Sequence, residues 1–180
     1  MTRSTLIALV CSLTLACGSA EDKPAAPPAK TAPGIAKLTL SKDPGEALSV
    51  AKAREAKADD EVIVVGRISN IVKGYASFNL IDRALDYCGS GSDAMELCAT
   101  PWDYCCIAND EKAENTVVVE AHGADGKVVA TTEVPGLRLL DLVAVKGKLQ
   151  KDEHGNVTVL ASGWFRRERP SLRDGLSWPK

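Results

Sequence analysis

The chain has 180 residues, 45% apolar and 26% charged, with a net charge of −2 and six cysteines. That composition excludes wholesale disorder and collagen-like repeats, and the near-neutral charge gives no global reason to expect nucleic acid. Six cysteines are more than a reduced cytosolic chain usually carries and fewer than a disulfide-packed miniprotein needs.

Residues 1–16 read as a signal peptide. Arg3 precedes an apolar stretch from Leu6 to Ala16, too short to span a bilayer but suited to a signal core. The stretch ends in Thr14-Leu15-Ala16-Cys17, which resembles the bacterial lipobox. That resemblance implies lipidation of Cys17 as the new N-terminus, although Thr14 departs from the preferred leucine. The alternative is ordinary cleavage that leaves Cys17 a stray thiol. No twin arginine is present, so export in an unfolded state is expected. Acyl chains bury CH₂ groups at ~0.8 kcal/mol each, which makes a membrane the first expected partner. With Cys17, residues 18–34 form a Pro/Ala-rich tether without large apolar residues, unable to bury a core.

The body follows as residues 35–168. Ile35 to Leu40 gives a faint edge-strand signal. Asp43-Pro44-Gly45-Glu46 predicts a helix start, with Asp43 as N-cap and Glu46 closing a capping box. Its apolar face of Ala47, Leu48 and Ala51 runs to about Lys57. Glu61 to Ser69 is β-branched, with Gly66 predicting a bend or bulge. Tyr75 to Asp82 alternates, with Ala76, Phe78 and Leu80 on one face. Asn115 to Ala121 is a third strand, followed by a turn at His122 to Gly126 and further pairing at Lys127 to Thr131. A short turn or helix is predicted over Val134 to Leu140. Leu142 to Gln150 and Val157 to Trp164 are two more strands, joined by the loop Lys151 to Asn156. Arg166 to Lys180 is expected to fray, with 169–180 as a flexible tail.

Five strands, a glycine in the first and a short connector before the fourth resemble the OB-fold, an all-β Greek-key barrel. The resemblance covers about residues 60–165 and rests on VVGRIS, FNLID and LVAVKGKL, which are similar to the nucleic-acid-type OB subfamily. An immunoglobulin-like sandwich would need seven strands. The barrel, together with Cys98-Ala99-Thr100-Pro101-Trp102-Asp103-Tyr104-Cys105-Cys106, also resembles a family of uncharacterised exported bacterial lipoproteins. That resemblance implies a fold and no activity.

Between the second and third strands lies a long insert, residues 85–114. It carries one lysine against seven carboxylates, a net −6, and it holds Cys88, Cys98, Cys105 and Cys106. Segments this long are functional or restrained. In an oxidising compartment the four cysteines predict two disulfides. A vicinal Cys105–Cys106 ring would be strained, so Cys88 and Cys98 would each join one member of that pair. A zinc site is the alternative, although the spacing lacks a C-x-x-C knuckle. A third reading is redox chemistry at Cys105-Cys106, which the surrounding negative charge disfavours. Trp102 and Tyr104 read either as a mini-core on the cysteines or, with Asp103, as a contact surface for a protein or small-molecule partner.

Nucleic acid binding needs a basic groove with stacking platforms, and this chain offers scattered bases beside an acidic insert. His122 and His154 fall in turns and read as solvated. No G-x-S-x-G, H-E-x-x-H or phosphate loop occurs, so no catalytic residue and no firm cofactor is assigned. The expectation is a non-enzymatic, lipid-anchored OB-type binding or scaffold module facing the periplasm or cell surface. A zinc-binding or thiol-redox protein is its alternative.

Overall fold

A computed structural model describes residues 34–90, 98–171 and 178. Cys17 and the signal and tether segments lie outside the described residues, as does the acidic stretch 91–97.

Among the described residues, six strands and two short α-helices make up the fold: β1 (Leu48–Ser49), α1 (Val50–Glu55), β2 (Glu61–Ile71), β3 (Ser77–Ile81), α2 (Asn109–Glu114), β4 (Thr116–Glu120), β5 (Leu142–Lys151) and β6 (Val157–Glu168). The order β2-β3-β4-β6-β5 closes on itself because β2 also pairs with β5. All pairings in that ring are antiparallel except β4 with β6. This closed five-stranded Greek key is the OB-type barrel. β1 adds a parallel edge pairing to β2, Leu48 opposite Val64. Among the described residues no helix is long and apolar enough to cross a membrane.

β2 serves two neighbours. Its first half, Glu61 to Arg67, pairs with β5, and Arg67 to Ile71 pairs with β3. The expected irregularity lies between Ile68 and Asn70, beyond Gly66. There Ile68 instead exchanges hydrogen bonds with the chain ahead of β5: its N–H donates to the Asp141 carbonyl, and the Leu140 N–H donates to the Ile68 carbonyl. Gly66 is needed for close approach. A Cβ there would stand 2.7 Å from the Ile81 carbonyl oxygen.

Period-2 alternation fills the barrel. Phe78, Leu80, Val117, Val119, Val145 and Val159 are fully buried. Phe78 meets Trp164 edge to face, with centroids 5.9 Å apart, a geometry worth ~0.5–1.5 kcal/mol beyond burial. Tyr75, two residues ahead of β3, is 50% exposed.

Several expectations differ. Ile35–Leu38 is a 3₁₀ turn, not a strand; Ile35 is buried in the core, and Leu40 donates to the Trp164 carbonyl. The helix starts at Val50 with Ser49 as its cap, accepting from Lys52 N–H. Asp43 caps no helix because its carboxylate is already engaged by Gly45 N–H and Arg167. The turn expected over Val134 to Leu140 is present, by contrast, as turns at Pro135-Gly136 and Leu139-Leu140, with Leu140 at φ +64°. β6 runs on to Glu168, so the chain beyond Trp164 does not fray there. Arg166 donates to the Gly136 carbonyl and Arg169 binds Asp141, which ties down the residue where the tail was expected to begin.

Candidate functional site: the cysteine-bearing insert

The insert leaves the barrel at Asp82, a buried carboxylate at the end of β3. Its oxygens accept from Ala51 N–H of α1 and from Ala84 N–H. The segment then folds back on itself. Cys88 N–H donates to the Asp103 carbonyl at 2.8 Å and Gly89 N–H to the Pro101 carbonyl at 2.7 Å. A Cβ on Gly89 would collide with that same Pro101 oxygen. This short ladder brings Cys88 alongside the Thr100–Cys106 stretch. The turn returns to β4 through α2, a six-residue helix within the stretch whose sequence carries no helical periodicity.

Beneath the ladder sits a second apolar cluster of Ile81, Tyr104 and Leu140, with Leu85, Tyr87, Trp102 and Ile107 packed around it. Tyr104 is 2% exposed, and its ring meets Tyr87 edge to face at 6.4 Å. The Arg67 guanidinium lies 5.6 Å from the Tyr87 ring centroid. Burial pushes the Tyr104 phenol up from its ordinary value, opposed by the nearby Arg67 charge. Of the three residues expected to form a contact surface, only Asp103 is therefore exposed. Trp102 is half-buried and Tyr104 belongs to the mini-core.

The anchored backbone gathers the sulfurs. Cys88 is buried, Cys98 half-buried, and Cys105 and Cys106 exposed, all as free thiols. Cys88 Sγ lies 3.1 Å from Cys105 Sγ, Cys98 Sγ 3.7 Å from Cys105 Sγ, and Cys105 Sγ 4.0 Å from Cys106 Sγ. The Cys88, Cys105 and Cys106 sulfurs all lie within 4.8 Å of one another. A disulfide needs about 2.05 Å, so no pair stands at bonding distance. A zinc–thiolate bond of about 2.3 Å sets a tetrahedral edge of about 3.8 Å, and the measured separations bracket that edge. The neighbouring pair Cys105-Cys106, whose spacing had argued against a shared ion, contributes two of the clustered sulfurs.

The cluster's electrostatics are those of thiols sharing one site. Hydrogen bonds from the Thr100 hydroxyl and backbone hold the Cys98 thiol below its ordinary value. Cys105 is pushed up to about 12 by its contacts with Cys88 and Cys98. The first thiolate is favoured at Cys98, while a second anion beside it is disfavoured without a cation. Thr100 was not singled out from sequence; its position two residues past Cys98 was the available signal.

His122 Nε2 lies 2.7 Å from Glu120 and His154 Nε2 3.6 Å from Glu153, so both remain outside the insert.

No family model matches the chain, and no curated protein matches its sequence. Solved structures with a similar course include the hypothetical protein YgiW from E. coli, at 15% identity over 71% of this chain and 96% of that one, TM-score 0.37. An OBody bound to hen egg-white lysozyme aligns at 14% identity over 73% of this chain and 100% of that one, TM-score 0.40. The class, an OB-type barrel with a cysteine-bearing insert between its second and third strands, rests on strand order and register and not on these likenesses.

Proposed function

We propose that this chain is an exported, lipid-anchored OB-type binding protein whose insert holds a soft divalent metal ion, zinc, on thiolates from Cys88, Cys98, Cys105 and Cys106. The observation that carries the reading is the gathering of the Cys88, Cys105 and Cys106 sulfurs within 4.8 Å of one another; Cys98, 3.7 Å from Cys105 but outside that group, would close in as the fourth ligand. Zinc would replace the thiol hydrogen bonds with Cys88 and Cys98 that keep Cys105 protonated, and it would cross-link a polar segment with little apolar content of its own. Acylation of Cys17 would place this site at a membrane surface, in the periplasm or outside the cell. No catalytic group is assigned.

A second reading keeps the disulfide staple. The 3.1 Å approach of Cys88 to Cys105 favours it, leaving Cys98 to join Cys106. Intact mass, thiol titration and elemental analysis of the purified protein separate the two. About one equivalent of zinc, with four thiols titrating after its removal, supports the metal site. Two disulfides and no metal overturn it. Membrane fractionation of Cys17→Ala tests the anchor: release into the soluble fraction is expected, and an unchanged membrane fraction removes lipidation from the proposal.

A further inference from the structure

Beside the cysteines, on the side facing the barrel wall, lies a cleft of about 320 Å³. Its floor is the outer face of β2 and β3, where Ser69 and Asn79 stand with Ile81 between them and the insert. The insert contributes Asp103, and α2 contributes Asn109 and Lys112. The cleft exists because the insert folds back over a face that an OB-type barrel otherwise leaves open.

Two charges of opposite sign line this cleft, and they do not pair with each other or with any other described residue. Asp103 Oδ1 accepts the N–H of Tyr104 at 2.7 Å, which fixes the carboxylate. No protein donor among the described residues reaches its Oδ2. Lys112 is half-buried, yet its ammonium meets no carboxylate among the described residues. The side-chain amides of Asn79 and Asn109 are likewise unengaged among the described residues. Long charged side chains on an open surface commonly stay unpaired. Here the two charges share one cleft with two amides and a hydroxyl, a polar set around the apolar Ile81 and Tyr104.

We propose that this cleft binds a small zwitterion of the free α-amino acid class. The ligand's ammonium would sit on Asp103, and its carboxylate on Lys112 with Asn109. The chemistry selects this class by exclusion. A simple carboxylate would meet the Asp103 charge unopposed, and a simple amine would meet Lys112. The volume lies at the low end of the ~300–1,000 Å³ range of ligand sites, which favours a single amino acid over a nucleotide or an oligopeptide. The site is separate from the thiol cluster, although the same loop carries both.

Titration calorimetry of the purified protein against each of the common L-amino acids tests the proposal, with chelator-treated and zinc-supplemented protein run alike. At least one amino acid is expected to saturate a single site in one form or the other. Its amine and carboxylic acid analogues, each lacking one charge, are expected to bind at least about tenfold more weakly. Asp103→Asn and Lys112→Met are each expected to lower affinity by about tenfold or more, with circular dichroism unchanged, and Lys112→Arg to retain most of it. Absence of saturation by any amino acid up to about 10 mM overturns the proposal. Equal binding of the single-charge analogues, or binding indifferent to both substitutions, overturns it as well.

Discussion

Arg169 grips Asp141 with two arms of its guanidinium, Nε 2.7 Å from Oδ1 and a terminal nitrogen 2.6 Å from Oδ2. Asp141 is fully buried and also accepts the Arg138 N–H at 3.0 Å. The pair ties the turn before β5 to the chain just past β6, where β5 begins beside the end of β6. Removing one partner of a buried pair leaves an uncompensated charge, at a cost of about 3–5 kcal/mol when solvent is excluded. The Arg169 side chain is 32% exposed, so water screens part of that cost. Arg169→Met keeps the stem and removes the charge. It is expected to lower unfolding stability in urea by about 2 kcal/mol. A change below about 0.5 kcal/mol would show that the clamp contributes no more than an ordinary surface residue.

Gly66 gives a sharper steric prediction. A Cβ there would stand 2.7 Å from the Ile81 carbonyl oxygen and 3.0 Å from Val50 Cγ2. The first contact is with backbone at the end of the β2–β3 ladder, where Ile81 pairs with Arg67, and it cannot yield without shifting a strand. Gly66→Ala is expected to cost about 1–3 kcal/mol by overpacking, seen as a lower urea midpoint at unchanged slope. A variant as stable as the parent would mean that the two strands can separate freely at this point.

Acid sensitivity follows from Asp43. Hydrogen bonds from Arg167, then from Gly45 N–H, hold its carboxyl below the usual 3.8. A carboxyl whose folded value is depressed binds protons more readily in the unfolded chain, so stability rises with pH through that window. The contribution is present above the unfolded value and is lost as pH falls through the lowered folded one. Asp43→Asn is therefore expected to be less stable than the parent near about pH 6, and the difference should close near about pH 2. Urea midpoints at the two pH values read this directly; a gap that persists at the acid end would assign the effect to packing instead.

The strands were legible because their signals are local. β2, β4 and β5 are β-branched runs, and the alternation of Ala76, Phe78 and Leu80 predicted which face of β3 is buried. Where the outcome depends on a distant partner, the sequence pattern pointed elsewhere. Asp43 looks like a helix cap until Arg167, 124 residues on, takes its carboxylate. Arg166 and Arg169 look like tail until Gly136 and Asp141 are placed opposite them. The four cysteines were visible as a set, but their spacing suggested a poor ligand array. The backbone ladder from Cys88 and Gly89 to Asp103 and Pro101 brings the sulfurs of Cys88, Cys105 and Cys106 together despite that spacing, and no periodicity announces it. The cleft beside them is a further step removed, since Lys112 and Asp103 come to line one cleft only through the return of α2.

Zinc binding at the cysteine cluster should be steeply pH-dependent. Without the ion, Cys105 is held protonated at about 12 by the sulfurs of Cys88 and Cys98. Metal ligation requires thiolates, so binding zinc must expel protons into solvent. With at least one proton released per ion, apparent affinity is expected to rise by at least about tenfold per pH unit between about pH 6 and pH 8. Cys88→Ser removes the buried sulfur nearest Cys105 and should weaken zinc binding by more than about a hundredfold, while Trp164 in the barrel core keeps its environment. A competitive chelator titration reads the affinity, and the unfolding transition reads the barrel. Affinity independent of pH, or retained in Cys88→Ser, would place the ion outside the thiolate cluster. Loss of the barrel along with the metal would make the insert part of the folding core, contrary to the separation of its apolar cluster around Tyr104 from the barrel cluster around Trp164.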